Sequence, residues 1–510
     1  MATYERFTSL DRFFLDVESD NTHMHVAGAM LFEAGPLRTP EGGIDIERIR
    51  QYIGSRLHLI PRYRQRLAYV PLENHPVWVD DDHMNIRYHV RHSSLPRPGS
   101  LRQLKRLAGR IMSQKLDRGK PLWELWIIEG LEDDRFAMIS KTHHCMIDGV
   151  SGVDLMGVLL SASAQREFDA PPNWNPQPAP SGLQMLRDEV WRRATMPLDL
   201  LGLAREAASQ PRELCMRARD AATALTGMLG EGMRGASDTP LNRSVGSYRR
   251  FDWITMDLAD VKRVKNALGG TVNDVVLAIV AGAAGRFLEH RGITRKQQEQ
   301  MEFRVFCPVS VRDPSERGRL GNKVSGMIIP LPVDERDPHR LMATIHQNTS
   351  HVKESKQALG AEVLAAVSDF TVPVLLSLGA RLATRTRAYN MIVTNVPGPQ
   401  LPLYMLGARL AEAFPLVPLF VNQALGVALF SYDGKLCWGF NSDWDLVPDL
   451  HDFVEALQTS FAELVAAAGA DQSSGPDADP ATNGDAGARR GSRQGSGAAD
   501  DAPTGSSSQG

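Results

Sequence analysis

Residues 171–180 read PPNWNPQPAP, five prolines in ten positions. Proline fixes φ and lacks a backbone donor, so no regular helix or central strand is expected to run through this stretch. It reads as an extended connector, and it divides the rest of the chain. Residues 1–170 mix strand and helix signals, 181–235 carry helical signals only, and strand–helix alternation resumes near 245 and runs to 468. The expectation is an α/β protein with two halves of similar size, 1–170 and 245–468. A Pro-rich and helical connector, 171–244, joins them, and a tail, 469–510, follows. No sequence repeat relates the halves. A length of 510 residues agrees with two or three units at roughly 150 residues each.

Within the first half, LWIIEGL (125–131) and RFAMISKTHH (135–144) read as adjacent strands joined by a turn at Glu132-Asp133-Asp134. Leu104, Leu107, Ile111, Met112 and Leu116 recur at helical spacing and predict a helix over 101–116. In the second half, 249–258 alternates as a strand does and 272–288 reads as a long Ala- and Gly-rich helix. FRVFCPVSV (303–311), SGMIIPLPV (325–333), AYNMIVTNVPGP (388–399) and 424–443 follow as strand-bearing stretches, then a final helix over 447–468. Between the halves, Pro197 and Pro211 should break 181–235 into at least three helical pieces. Leu183, Leu186, Val190 and Trp191 share one helix face there, beside an excess of arginine (187, 192, 193, 205, 212, 217, 219). Two readings of this segment stand: a bridge between the halves, or a basic amphipathic surface for anionic lipid.

The tail explains the charge. Residues 471–510 contain no Val, Ile, Leu, Met, Phe, Tyr or Trp, so they cannot bury a core. They hold six Asp and three Arg, which accounts for the entire net charge of −3 and leaves the rest neutral. Such balance argues against a nucleic-acid binder. Four scattered cysteines (145, 215, 307, 437) with no C-x-x-C exclude a disulfide framework and fit a reducing compartment. No apolar run reaches the ~18 residues of a membrane helix, and residues 1–9 lack the order of a signal peptide. A cytoplasmic protein that touches membranes only peripherally is expected.

The sharpest local signal is HHCMIDG (143–149), directly after a strand. Of the fourteen histidines, only His144 has an Asp four residues on. A histidine at a strand end can be fixed in a cleft, and its ordinary pKa of ~6.5 suits a general base. The bland alternative is a buried histidine with a capping aspartate. No third ligand lies close in sequence, so a zinc site is not expected. Cys145 neighbours His144 and should point away from it. The chain has no G-x-S-x-G, Walker A or G-x-G-x-x-G at a strand–helix junction, which sets aside α/β-hydrolase, nucleotide and NAD chemistry.

The segment KTHHCMIDGVSG (141–152) resembles the active-site motif of the bacterial wax ester synthase/diacylglycerol acyltransferase family. Further stretches resemble the family in order: SLDRFFLDVESDNTHMHVAGAMLFE (9–33), PLWELWIIEGL (121–131), TPLN (239–242), TVNDVVLAIVAGA (271–283), PVSVR (308–312), Gly321-Asn322 and NVPGP (395–399). The resemblance covers about 1–465 and is nearest to the actinobacterial triacylglycerol-synthase type.

It implies two chloramphenicol-acetyltransferase-like halves with a central tunnel, joined by the helical connector. It implies transfer of a long-chain acyl group from acyl-CoA to diacylglycerol, with His144 as general base and no acyl-enzyme. A fatty alcohol is the alternative acceptor. An inactive lipid-binding paralogue and a peptide-condensing enzyme are further alternatives. His143, Asp148, Gly149 and Arg312 are supporting residues, with Asp148 and Arg312 expected to pair. Asn273, Asp274 and Asn395 are candidates for the tunnel wall, Asn273 foremost for the oxyanion, and helix or turn capping is the competing role for Asn273 and Asn395. Pro121, Leu122 and Trp123 are expected to pack, and NVPGP to form a turn. No cofactor or metal is implied, because acyl-CoA is a substrate. The implied location is the inner face of the plasma membrane or lipid bodies.

Overall fold

The computed structural model describes residues 4–146, 152–209, 235–310, 324–354 and 387–473. The first half runs β1 (Glu5–Arg6), α1 (Ser9–Val17), β2 (His25–Glu33), α2 (Ile46–Arg56), β3 (Gln65–Tyr69), β4 (Pro76–Asp80), α3 (Ile86–His89), β5 (Val90–Ser94), α4 (Leu101–Met112), β6 (Trp123–Leu131), β7 (Arg135–His143) and α5 (Gly152–Leu159). The second runs β8 (Arg249–Asp257), α7 (Leu258–Leu268), α8 (Val272–His290), α9 (Arg295–Gln298), β9 (Arg304–Ser310), β10 (Val324–Pro330), α10 (Pro338–Glu354), β11 (Met391–Pro397), β12 (Tyr404–Met405), β13 (Ala408–Leu416), β14 (Leu425–Tyr432), β15 (Lys435–Asp443) and α11 (Leu450–Ser473). Between them lies α6 (Gly182–Ser209).

Each half has a six-stranded sheet, ordered β12-β13-β2-β7-β6-β5 and β10-β9-β11-β14-β15-β8; β1, β4 and β3 form a small third sheet. The β6–β7 hairpin turns through Asp133 and Asp134, both at positive φ, as the tight turns between twisted strands require. The run Phe136–Ile139 is apolar throughout because this sheet is covered on both faces. Phe136 and Met138 meet the core under α2, and Ala137 and Ile139 face α4.

The first sheet is completed from far along the chain. β13 pairs onto β2, Phe414 opposite Ala29 and Leu416 opposite Ala27, and β12 pairs onto β13. Phe414 also stacks on Trp253 of β8, with centroids 5.1 Å apart, so β13 is the seam between halves. Gly439 makes this approach possible, since a Cβ there would collide with the Pro415 carbonyl. Arg249 clasps the same seam. It is buried, its N–H donates to Ser113 Oγ (2.9 Å), and its guanidinium reaches the carbonyls of Asn21 and Gly246.

Two expectations are corrected. Pro197 does not break the connector helix, which is continuous from Gly182 to Ser209. A proline removes one rung of the ladder and a long helix can absorb that loss; Pro211 lies outside the described residues. Nor is NVPGP all turn, because Asn395, Val396 and Pro397 belong to β11, paired with β14 through Pro397 opposite Ser431. Among the described residues β9 pairs only with Met391 and Ile392 of β11. Among the described residues no single helix is long and apolar enough to cross a membrane.

Candidate active site

β7 delivers the histidine pair. The His143 N–H donates to Leu122 O (2.9 Å), and the His144 N–H donates to Met24 O (2.8 Å). Leu122 and Trp123 are fully buried, so this stretch packs and anchors the strand end. His144 then opens a 3-10 turn ending at Met146. Its ring lies flat on Phe14 of α1, with centroids 3.7 Å apart and planes 15° from parallel. The Thr8 side chain caps α1 by accepting from the Asp11 N–H (3.1 Å), which fixes the helix that carries Phe14.

His144 is half-buried, and burial pushes its pKa down to about 4. The imidazole is therefore neutral near pH 7 and can accept a proton. Its Nδ1 is buried and has no hydrogen-bond partner among the described residues. His143 turns into the core, where its Nδ1 accepts from the Cys145 N–H (3.2 Å) and meets Cys145 Sγ at 2.9 Å. Cys145 is fully buried, and burial pushes its thiol well above the ordinary range, which suits packing rather than attack.

Asn273, Asp274 and Asn395 come together in the second half. They line a cleft walled by Val276, Leu277, Met327, Ile329 and Val393. His144 is not among its lining residues. Asn395 Nδ2 donates to Asn273 Oδ1 (2.7 Å), tying the start of α8 to β11. Capping of α8 falls instead to Thr271 and Asp274, each accepting from the other's N–H. Asp274 also accepts from Thr349 Oγ1 (2.8 Å) and meets His346 Nδ1 (2.9 Å), which binds α10 to α8. Its carboxyl is held below the ordinary range because these hydrogen bonds outweigh the opposing effect of burial. Asp148, Gly149 and Arg312, and with them the expected Asp148–Arg312 pair, lie outside the described residues.

Sequence reasoning missed Phe14 and Glu18. Both sit in the stretch 9–33, whose resemblance to the family was the one available signal.

A model of the wax ester synthase/diacylglycerol acyltransferase catalytic domain matches residues 7–276, and one of the C-terminal domain of the same family matches 320–465. A Mycobacterium tuberculosis protein named as a diacylglycerol O-acyltransferase is 34% identical over 91% of both chains. A second so named from that organism is 30% identical over 90% of this chain and 95% of its own. Among solved structures, the wax ester synthase/diacylglycerol acyltransferase of Marinobacter aquaeolei VT8 aligns with a TM-score of 0.64 at 26% identity, covering 91% of this chain and all of that one. The starter condensation domain of rhizomide synthetase shares the fold, with a TM-score of 0.55 at 14% identity over 90% of this chain and 95% of that one.

Proposed function

This chain belongs to the wax ester synthase/diacylglycerol acyltransferase family, and from that premise we propose that it transfers a long-chain acyl group from acyl-CoA to diacylglycerol, making triacylglycerol. The observation that carries the reading is His144, a neutral imidazole braced on Phe14 at the end of β7. With Nδ1 enclosed, Nε2 is the nitrogen left to meet a substrate. It takes the proton of the acceptor hydroxyl as that oxygen attacks the thioester carbonyl. The tetrahedral intermediate collapses, the C–S bond breaks, and the imidazolium returns its proton to the CoA thiolate. Both substrates are held at once, so no acyl-enzyme is required. Asn273, with Asn395 behind it, is the proposed donor to the oxyanion. Asp148, Gly149 and Arg312 are proposed to hold the motif's shape, and no cofactor takes part.

The test is acyl transfer by the purified protein from a labelled long-chain acyl-CoA, offered diacylglycerol and hexadecanol in parallel. Labelled triacylglycerol should dominate. Dominant wax ester would replace the acceptor, and no product with either would leave a lipid-binding protein without this activity.

Peripheral contact with the inner membrane face or lipid bodies belongs to the same reading, and α6 is its proposed seat. Arg192 and Arg193 are engaged with Glu189 (2.6 and 2.9 Å), and Arg193 also with Glu73 of the first half (2.8 Å). Arg187 pairs with Asp188 (3.1 Å). Through Glu73, Arg193 and Arg192 brace the helix against the first half, whereas Arg187 pairs within the helix. The side turned outward carries Leu183, Val190 and Trp191, 81%, 62% and 72% exposed. Apolar insertion with an interfacial tryptophan is therefore the proposed mode of contact.

A further inference from the structure

Glu18, the residue that ends α1, is a buried carboxylate with 4% of its side chain exposed. Arg118 engages one of its oxygens, Oε2, through Nη2 (2.6 Å) and Nε (3.1 Å), and also donates to Leu15 O. The other oxygen, Oε1, faces two histidines. His143 Nε2 lies 3.5 Å away and His25 Nε2 3.8 Å away. The strand register brings the two rings there, since His25 and His143 sit opposite each other across β2 and β7.

The geometry orders the protons. His143 Nδ1 accepts from the Cys145 N–H, so a neutral His143 must carry its hydrogen on Nε2, on the side of Glu18. That hydrogen bond from Cys145 closes the turn on which His144 stands. Burial alone would neutralise Glu18, but His143 and Arg118 outweigh it and hold the carboxyl well below its ordinary range, so it stays charged. One helix thus supplies both the plate under His144, through Phe14, and the carboxylate behind His143.

We propose that Glu18 is a positioning residue: its charge selects the Nε2–H form of His143, whose Nδ1 then holds the turn that aims His144. This rests on His144 as the base. At metal centres an outer carboxylate that fixes a histidine tautomer typically matters 10–100-fold when removed, and a loss of that order is expected here.

The experiment compares Glu18→Gln, Arg118→Gln and wild type, with histidine nitrogen NMR for the tautomer and kinetics with acyl-CoA and diacylglycerol. Wild-type His143 should show Nε2–H. Glu18→Gln should mix the tautomers and lower kcat about 10–100-fold at unchanged KM. Arg118→Gln removes one of the two groups that keep Glu18 charged, so it should lower the melting temperature and shift the tautomer and kcat part of the way toward the Glu18→Gln values. Wild-type His143 found as Nδ1–H or doubly protonated at pH 7 would overturn the proposal, even if Glu18→Gln fails to fold. So would a Glu18→Gln enzyme with wild-type kcat. A fully active His144→Ala would sink the reading of the base, whereas an inactive His144→Ala beside a fully active Glu18→Gln would sink the positioning role alone.

Discussion

A base works only while it is unprotonated, and the burial of His144 decides when that is. Replacing it by alanine should cut turnover ~10² to 10⁴-fold in a folded protein. Retention of more than a tenth of wild-type turnover would show that another group takes the proton. With its pKa pushed down to about 4, His144 should keep its lone pair well below the ordinary 6.5. The acid limb of kcat/KM is therefore expected near pH 4, and a limb centred at 6.5 would mean that His144 is less enclosed in solution or is not the titrating group. Asp274 differs in kind from its neighbour Asn273. Its carboxylate is occupied by Thr271, Thr349 and His346, so Asp274→Ala removes a cap and strands buried partners. The expected loss is about 1–3 kcal/mol in denaturant unfolding. Asn273→Ala should spare stability and lower kcat, and equal stability losses in both would assign the pair a common structural role.

Among the elements, α6 shows how far pattern reading reaches. Helical character and the shared face of Leu183, Val190 and Trp191 follow from 3.6-residue spacing alone. Which face turns outward does not, because that depends on Glu73 standing on the β3–β4 hairpin to receive Arg193. The consequence can be measured with liposomes. Trp191→Ser with Leu183→Ser should reduce co-sedimentation several-fold, with little dependence on salt, since apolar insertion is not screened as exposed charges are. Neutralising Arg187, Arg192 and Arg193 should instead lower melting temperature. Loss of binding only in the arginine variant would restore an electrostatic anchor. The hairpin β6–β7 was legible because its aspartates suit a tight turn and its strands are neighbours. β13 was not, since 408–416 is not among the strands read from the sequence, and its place is set by pairing with β2, far away in sequence. The same holds around His144, where strand end and motif were readable but Phe14 and Glu18 meet the histidines only through tertiary packing.

Across the whole molecule, the histidines with depressed pKa values all lie in the first half. Burial is the leading cause for each: His75 is pushed to about 3, His144 to about 4, His25 well below 6.5, and His23 and His89 downward. A histidine of this kind binds its proton more readily in the unfolded chain. Between pH 6.5 and its folded pKa, the unfolded state therefore takes up more protons, and stability falls as pH falls. Each such group costs at most about 1.4 kcal/mol per pH unit within that window. Near pH 5.5 His75 and His144 together cost at most about 3 kcal/mol, a sizeable share of the 5–15 kcal/mol that folds a typical domain. This half also cannot come apart unnoticed by the other, because β13 is a strand of the first sheet that the second half supplies, with Phe414 stacked on Trp253. Acidification from pH 7.5 to 5.5 is thus expected to lower the denaturant midpoint of the whole protein in one transition. His75→Gln should flatten the dependence, since it removes a group whose burial makes protonation costly. A midpoint unchanged across that range would mean that these histidines stay solvated, and two separate transitions would mean that β13 does not couple the halves.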